Sequence, residues 1–301
     1  MDLTDKDIPR LSEDEELTLE KNTTWFFGSP RGGTSWVGTE LLSYNTLILN
    51  EPHIEEHLSM KADEIQPEII RRIDNPQQNP QYFFSKVYKD VWLFYLRKLI
   101  LHRIFAQSWS VEKKVIIKEV VHFGATEILS QCMPNSKIIF LNRDGRDYVD
   151  SLYAAITKNV FHHIKLSGIE EPTHPDHKIW LNGFVNGHSL LWKIRTENFL
   201  KCYEQHPKEL CYMINYESIL EDTLGELKKL YEFLEINIPE DELKKIVKTF
   251  DFNGLSADMK GDGKFRRSAQ PGRWKKNFSE DEQKIMNDIM GSTLKKIGYE
   301  I

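Results

Sequence analysis

Between Gly28 and Ser35 the chain reads Gly-Ser-Pro-Arg-Gly-Gly-Thr-Ser. Glycines in such a loop let backbone N–H groups converge on an anion, and a helix starting just beyond adds the positive end of its dipole. The spacing is that of the phosphate-binding loop G-x-x-x-x-G-K-[ST], except that Thr34 stands where the lysine belongs. That lysine holds the outer phosphates of a nucleoside triphosphate. A loop that keeps the cradle and lacks the lysine points to a different phosphorylated ligand, and Arg31 inside it supplies a replacement cation.

A second anion site is suggested further along. Arg143 follows the β-branched and aromatic run Lys137-Ile-Ile-Phe-Leu141, where a parallel strand would deliver it to a ligand. A guanidinium offers phosphate oxygens a two-pronged contact that a lysine cannot. Ser151, eight residues later, is placed to add a hydroxyl from the next helix. The alternative for Arg143 is an ion pair with Asp144 or Asp147. Lys118 ends the strand-like run Val115-Ile-Ile117 and is a further cation at a strand end.

These groups need elements to position them. Short β-prone runs occur at 23–27, 47–49, 115–117, 137–141 and 210–214, and helical patterns separate them. Ser35–Tyr44 reads as a helix, residues 54–110 as mostly helical with breaks near Pro76 and Pro80. Leu220, Leu224, Leu227, Tyr231 and Leu234 fall on one face of a later helix. Strands alternating with helices predict an α/β fold of three layers, a central parallel sheet flanked by helices, P-loop NTPase-like. The acidic residues 1–22 read as an N-terminal lead-in and 23–301 as a single domain, since no repeat or Gly/Ser/Pro-rich linker divides it. Phe161–His177 reads as a loop, whose four histidines (His162, His163, His174, His177) suit a solvated or substrate-lining role better than a metal site.

Composition narrows the classes. A net charge of −6 argues against a nucleic-acid backbone binder. The apolar run Val91–Leu96 falls far short of the ~18 residues a membrane helix needs, and no charged-then-apolar leader opens the sequence. Cys132, Cys202 and Cys211 have no CxxC spacing. They predict inert core thiols and fit a reducing, cytoplasmic compartment.

Four segments, in order, resemble the sulfotransferases that use 3′-phosphoadenylyl sulfate (PAPS). Pro30-Arg-Gly-Gly-Thr-Ser-Trp36 is similar to their 5′-phosphosulfate loop, and Phe140-Leu-Asn-Arg143 through Ser151 to their 3′-phosphate motif. Asn215-Tyr216-Glu217 resembles the strand end where a tyrosine lies near the adenine. Arg266-Arg267-Ser-Ala-Gln-Pro-Gly272-Arg-Trp274-Lys275 resembles a late R-K-G-x-x-G-x-W-K motif, with Ser268-Ala269 replacing Lys-Gly, so that Arg267 is the 3′-phosphate ligand that carries over. The loop arginine and Arg143-Asp-Gly-Arg146 look closer to the tyrosylprotein, carbohydrate and bacterial branch than to the cytosolic steroid and phenol enzymes.

The resemblance implies a PAPS site. Arg31, Gly32, Gly33, Thr34 and Ser35 would hold the 5′-phosphosulfate, while Arg143, Ser151 and Arg267 would hold the 3′-phosphate. Tyr216 and Trp36 would meet the adenine, and Gly272 and Trp274 would close the pocket; for Trp36 and Trp274 plain core packing stays open. Sulfuryl transfer is an in-line displacement in which charge grows on the leaving phosphate. Arg31 and Lys118 would face that charge, so no metal is implied. The acceptor must also lose a proton to a base. Glu51, in Asn50-Glu-Pro-His53, matches the catalytic glutamate of the tyrosylprotein and carbohydrate branch; His122 and His53 compete with it. For Glu51 a structural pairing with Arg31 is the other possibility. The expected acceptor is a small molecule, lipid or carbohydrate, because aromatics (Tyr82, Phe83, Phe84, Trp92, Phe161, Trp180) dot the segments where the resembling family varies. A small-molecule or nucleotide kinase on a degenerate phosphate loop is the alternative, as is a nucleotide-binding scaffold without catalysis.

Overall fold

Five apolar runs form one sheet in the computed structural model, which describes residues 10–54, 85–120, 125–157, 177–252, 254, 256, 260, 261, 264 and 268–301. The strands are β1 (Thr23–Gly28), β2 (Thr46–Asn50), β3 (Lys114–Glu119), β4 (Lys137–Asn142) and β5 (Cys211–Asn215). Their order is β2-β3-β1-β4-β5, and every pairing is parallel. All five lie where the β-prone runs predict them. β5 starts one residue late because Lys208–Leu210 winds into a 3-10 turn.

Parallel strands need helical crossovers, and these cover both faces. Alternate side chains of β1 point to opposite layers. Trp25 and Phe27 pack with α1 (Glu13–Lys21), α3 (Lys89–Ser108), α4 (Ala125–Cys132) and α6 (His177–Gln205). Phe26 packs on the other face with α2 (Trp36–Leu41), α8 (Thr223–Phe233) and α9 (Glu240–Phe250). A third cluster joins α5 (Gly145–Thr157), α6 and α11 (Glu280–Lys296) through Tyr148, Trp192 and Met290. The three layers match the predicted fold class. Among the described residues no helix is long and apolar enough to cross a membrane.

The structure departs from three sequence expectations. The acidic lead-in is folded over Glu13–Lys21, where Ser12 and Glu15 make a capping box and Leu19 joins the core. Its charges are used internally: Glu16 accepts from Arg97 Nη1 and Lys98 Nζ at 2.7 Å each, and Glu20 from Arg97 Nε at 2.7 Å. The helix predicted through Leu220 and Leu234 breaks into α7 (Tyr216–Glu221) and α8, because the Asp222 carboxylate caps Gly225 N at 2.9 Å. Leu224 is consequently exposed, while Leu227, Tyr231 and Leu234 keep the buried face. Trp92, read as acceptor-lining, is buried in the sheet's lower layer and donates to the Ser85 carbonyl. The three cysteines are free and buried as expected, and burial raises their thiols to about 11 or 12.

Candidate functional site

The order of the strands reverses on either side of β1, and a crevice opens there beyond their C-terminal ends. Register fixes what meets in it. Phe26 pairs with Lys118, Asn50 pairs with Lys118 from the other side, and Gly28 pairs with Leu141. The loop after β1, the lysine of β3 and the arginine after β4 are therefore neighbours.

The loop leaves Gly28, turns at Ser29–Gly32 with a Gly32 N to Ser29 O bond of 2.9 Å, and enters the helix at Thr34. Arg31 and Gly33 both have positive φ, 60° and 90°. Gly33 is forced twice, since a Cβ there would also stand 2.5 Å from the Tyr216 ring. α2 then runs with π-type bonding, Leu42 N reaching Val37 O at 3.2 Å. A π-turn is an uncommon, functionally enriched way to begin a crossover.

The side chains around this loop form two groups. On one side Arg31 Nε donates to Ser151 Oγ at 3.2 Å, and Arg143 Nη1 donates to the Arg31 carbonyl at 2.6 Å. The Arg143 guanidinium lies over the Tyr216 ring at 4.9 Å, while its buried Nε has no hydrogen-bond partner among the described residues. Asp144 pairs with Arg146, so of the two carboxylates that the alternative reading offered Arg143, Asp144 is taken up elsewhere. An arginine with a prong to spare, next to a serine and a glycine-lined turn, fits a phosphate. On the other side Lys118, wholly buried, contacts the Glu51 carboxylate and lies 3.5 Å from Ser35 Oγ. Glu51 thus pairs with Lys118, where the sequence had offered Arg31 as a partner.

Arg31, Gly33, Thr34, Ser35, Trp36, Arg143, Ser151 and Tyr216 line one pocket together with Leu220, Phe250, Phe252, Ser268 and Ala269. Trp36 meets Tyr216 edge-on at 5.9 Å between centroids and donates to the Phe250 carbonyl at 2.9 Å, so its indole is both fixed and accessible to the pocket. Burial raises the Tyr216 phenol, keeping it neutral. Glu217 is structural: it accepts from Asp144 N at 3.3 Å and from the Tyr299 hydroxyl.

Gly272 and Trp274 are not among the residues that line this pocket. Trp274 is buried in the third core cluster with the Arg146 guanidinium 4.3 Å above its ring. Gly272 N donates to Asp147 Oδ2 at 2.6 Å, which ties the late loop to α5. His122 and Arg267 lie outside the described residues, as do His162, His163 and His174. Leu220, Phe250 and Phe252 were missed: apolar residues near helix ends carry no mark that separates a pocket wall from a core. No group of three His, Cys, Asp or Glu side chains among the described residues forms a metal cluster.

A parallel sheet with its switch point at β1 and a glycine-rich loop at that point define a P-loop-like α/β fold. The sequence profile of the sulfotransferase domain matches residues 21–298, and the chain belongs to that family. Cytosolic sulfotransferase 1 of Danio rerio is 22% identical over 174 residues, 54% of this chain and 54% of that protein. Sulfotransferase 2B1 of Mus musculus is 24% identical over 170 residues, 51% and 46% of the two chains. The matched part thus spans about half the length of these curated relatives. Among solved structures, mouse sulfotransferase SULT7A1 complexed with PAP superposes with a TM-score of 0.53 at 15% identity, covering 95% of this chain and 94% of that one. Retinol dehydratase in a complex with retinol and PAP gives 0.54 at 15% identity, covering 93% and 83%. At such identities the likeness is one of fold.

Proposed function

We propose that the protein transfers the sulfuryl group of PAPS to a hydroxyl or amine of a small-molecule, lipid or carbohydrate acceptor and releases adenosine 3′,5′-bisphosphate (PAP). The observation that carries this reading is the convergence of Arg31, Arg143 and Ser151 on a loop that has no P-loop lysine. That corner suits a nucleotide with a 3′-phosphate and a 5′-anion better than a triphosphate. The nucleotide supplies the group to be transferred; the chain's residues do the rest. Loop amides, Thr34 and Ser35 hold the 5′ end, Arg143 and Ser151 the 3′-phosphate, with Arg267 as a further ligand. Trp36 and Tyr216 flank the base.

Lys118 and Arg31 face the oxygen on which charge grows, which is where fixed cations lower the barrier most. Glu51 is the proton acceptor. It is the partly exposed member of the Lys118 pair, so an acceptor hydroxyl can reach it while the ammonium stays buried. Residues 23–301 act as a single domain onto which the helix Glu13–Lys21 is packed, and the three free thiols fit a cytoplasmic protein. The test is transfer of labelled sulfate from PAPS across a panel of phenols, alcohols, amines, sterols and sugars, with EDTA present. Turnover on at least one acceptor with chelator present is expected. A strict Mg²⁺ requirement with ATP as donor would replace this reading by a kinase.

A further inference from the structure

Glu119 is buried beside the site, one residue past Lys118, and no step above uses it. Among the described residues its carboxylate forms no ion pair with a lysine or arginine; the favourable charge acting on it from nearby is that of the His53 imidazole. Its Oε1 accepts from Ile54 N at 3.0 Å. That amide closes the turn that carries Glu51. The turn is an uncommon one: Glu51 and His53 both have left-handed backbones, φ 51° and 54°, on either side of Pro52. For residues with side chains such conformations are strained and persist only where neighbours over-determine them. The strand ladder supplies a single tie, Glu51 N to Lys118 O at 2.8 Å. Beyond it the turn leaves the sheet edge.

We propose that Glu119 is the positioning residue of the active site: by accepting from the Ile54 amide it locks the left-handed Glu51-Pro52-His53 turn and so sets the Glu51 carboxylate against Lys118. The geometry is economical. Lys118 and Glu119 are consecutive on one strand, so their side chains leave opposite faces of β3. One grips the Glu51 carboxylate, and the other grips the backbone just beyond it. The base is thereby held at both ends by a single rigid strand. Burial raises the Glu119 carboxyl; the neighbouring backbone and the His53 imidazole oppose the rise, and the Glu51 charge adds to it.

This inference rests on the proposed role of Glu51 and is tested so that the two can fail separately. Glu119→Ala should lower kcat by about 10–100-fold, the scale of a misplaced catalytic group, while PAP affinity by calorimetry stays within about twofold, because no nucleotide contact is lost. Glu119→Gln retains an acceptor oxygen and should keep at least about a third of the kcat. Amide hydrogen exchange at Ile54 should accelerate in Glu119→Ala and stay slow in Glu119→Gln, whatever the enzyme acts on. Should the Ala protein not fold, Glu119→Asp, a methylene short of the turn, carries the same expectations. Wild-type kcat and slow exchange in the Ala or Asp variant would overturn the proposal. So would equal losses of kcat and PAP affinity in the Ala and Gln variants, which mark a merely structural carboxylate. If the wild-type protein transfers nothing from PAPS, the functional reading fails while the exchange data still decide the clamp.

Discussion

Arg31 and Ser151, 120 residues apart, meet through an Nε to Oγ bond of 3.2 Å, and Arg143 closes the same corner by donating to the Arg31 carbonyl at 2.6 Å. The two segments proposed to bind the anions are thus one hydrogen-bonded unit. Arg31 belongs to the 5′ loop yet rests on a residue assigned to the 3′-phosphate.

Replacing Arg143 by Ala should weaken PAP by about 10–100-fold, the worth of a charged hydrogen-bonded contact, and hardly weaken adenosine 5′-phosphate. Arg143→Lys should recover little, since a point charge cannot hold both the Arg31 carbonyl and a phosphate. Calorimetry with the two nucleotides checks this; equal losses for both would remove the 3′-phosphate from Arg143.

Glu51→Gln should leave PAP binding nearly unchanged and lower kcat by ~10²–10⁴, the usual contribution of a general base. The amide oxygen can still accept from the Lys118 ammonium, so the buried charge keeps a partner. His122→Ala should be mild by comparison. Single-turnover rates separate the cases, and a dead His122→Ala enzyme beside an active Glu51→Gln one would reverse the assignment.

Glu16→Ala should destabilise the fold by about 2–3 kcal/mol, below the ~3–5 kcal/mol for breaking a fully buried ion pair, because Arg97 and Lys98 are partly exposed. It removes the shared partner of Arg97 and Lys98, and its own side chain is 2% exposed. Melting temperature should fall while PAP affinity of the folded protein stays the same, because no residue of α1 lines the pocket.

His188 gives a pH prediction. Burial, reinforced by Arg195, depresses its imidazole from the ordinary 6.5 to about 4. The unfolded chain therefore binds a proton between those values that the native state refuses, so stability falls as the pH drops from 6.5 toward 4. His188→Gln should flatten that limb by at most about 3 kcal/mol. Melting curves at pH 7.5 and 4.5 for both proteins check it; parallel losses in both would place the acid sensitivity elsewhere.

The strands were legible in the sequence because buried parallel strands are short β-branched runs, and Val115–Ile117 and Lys137–Leu141 are little else. Much of the site was legible for a related reason: the loop, Lys118 and Arg143 all sit at strand ends, where register brings them together. What stayed hidden depends on tertiary partners. The acidic string at 13–16 looks like a solvated tail until Arg97 and Lys98, some 80 residues on, are placed against it. Asp222 reads as one more helical surface residue until its carboxylate is seen capping Gly225. Trp274 and Trp36 are the same residue type in motifs of equal strength, and only packing sends one to the core and the other to the pocket.

The central place of β1 has a thermodynamic consequence. Its loop, Lys118 on β3 and Arg143 after β4 are contributed by three adjacent strands whose partners lie far apart in the chain. No fragment that lacks any one of them can present the nucleotide corner. A ligand that recognises only the finished sheet lends its whole binding free energy to global unfolding, about 2.7 kcal/mol at a hundredfold excess over Kd. PAP should therefore raise the melting temperature of the entire protein in one cooperative step, and the midpoint should climb with the logarithm of its concentration.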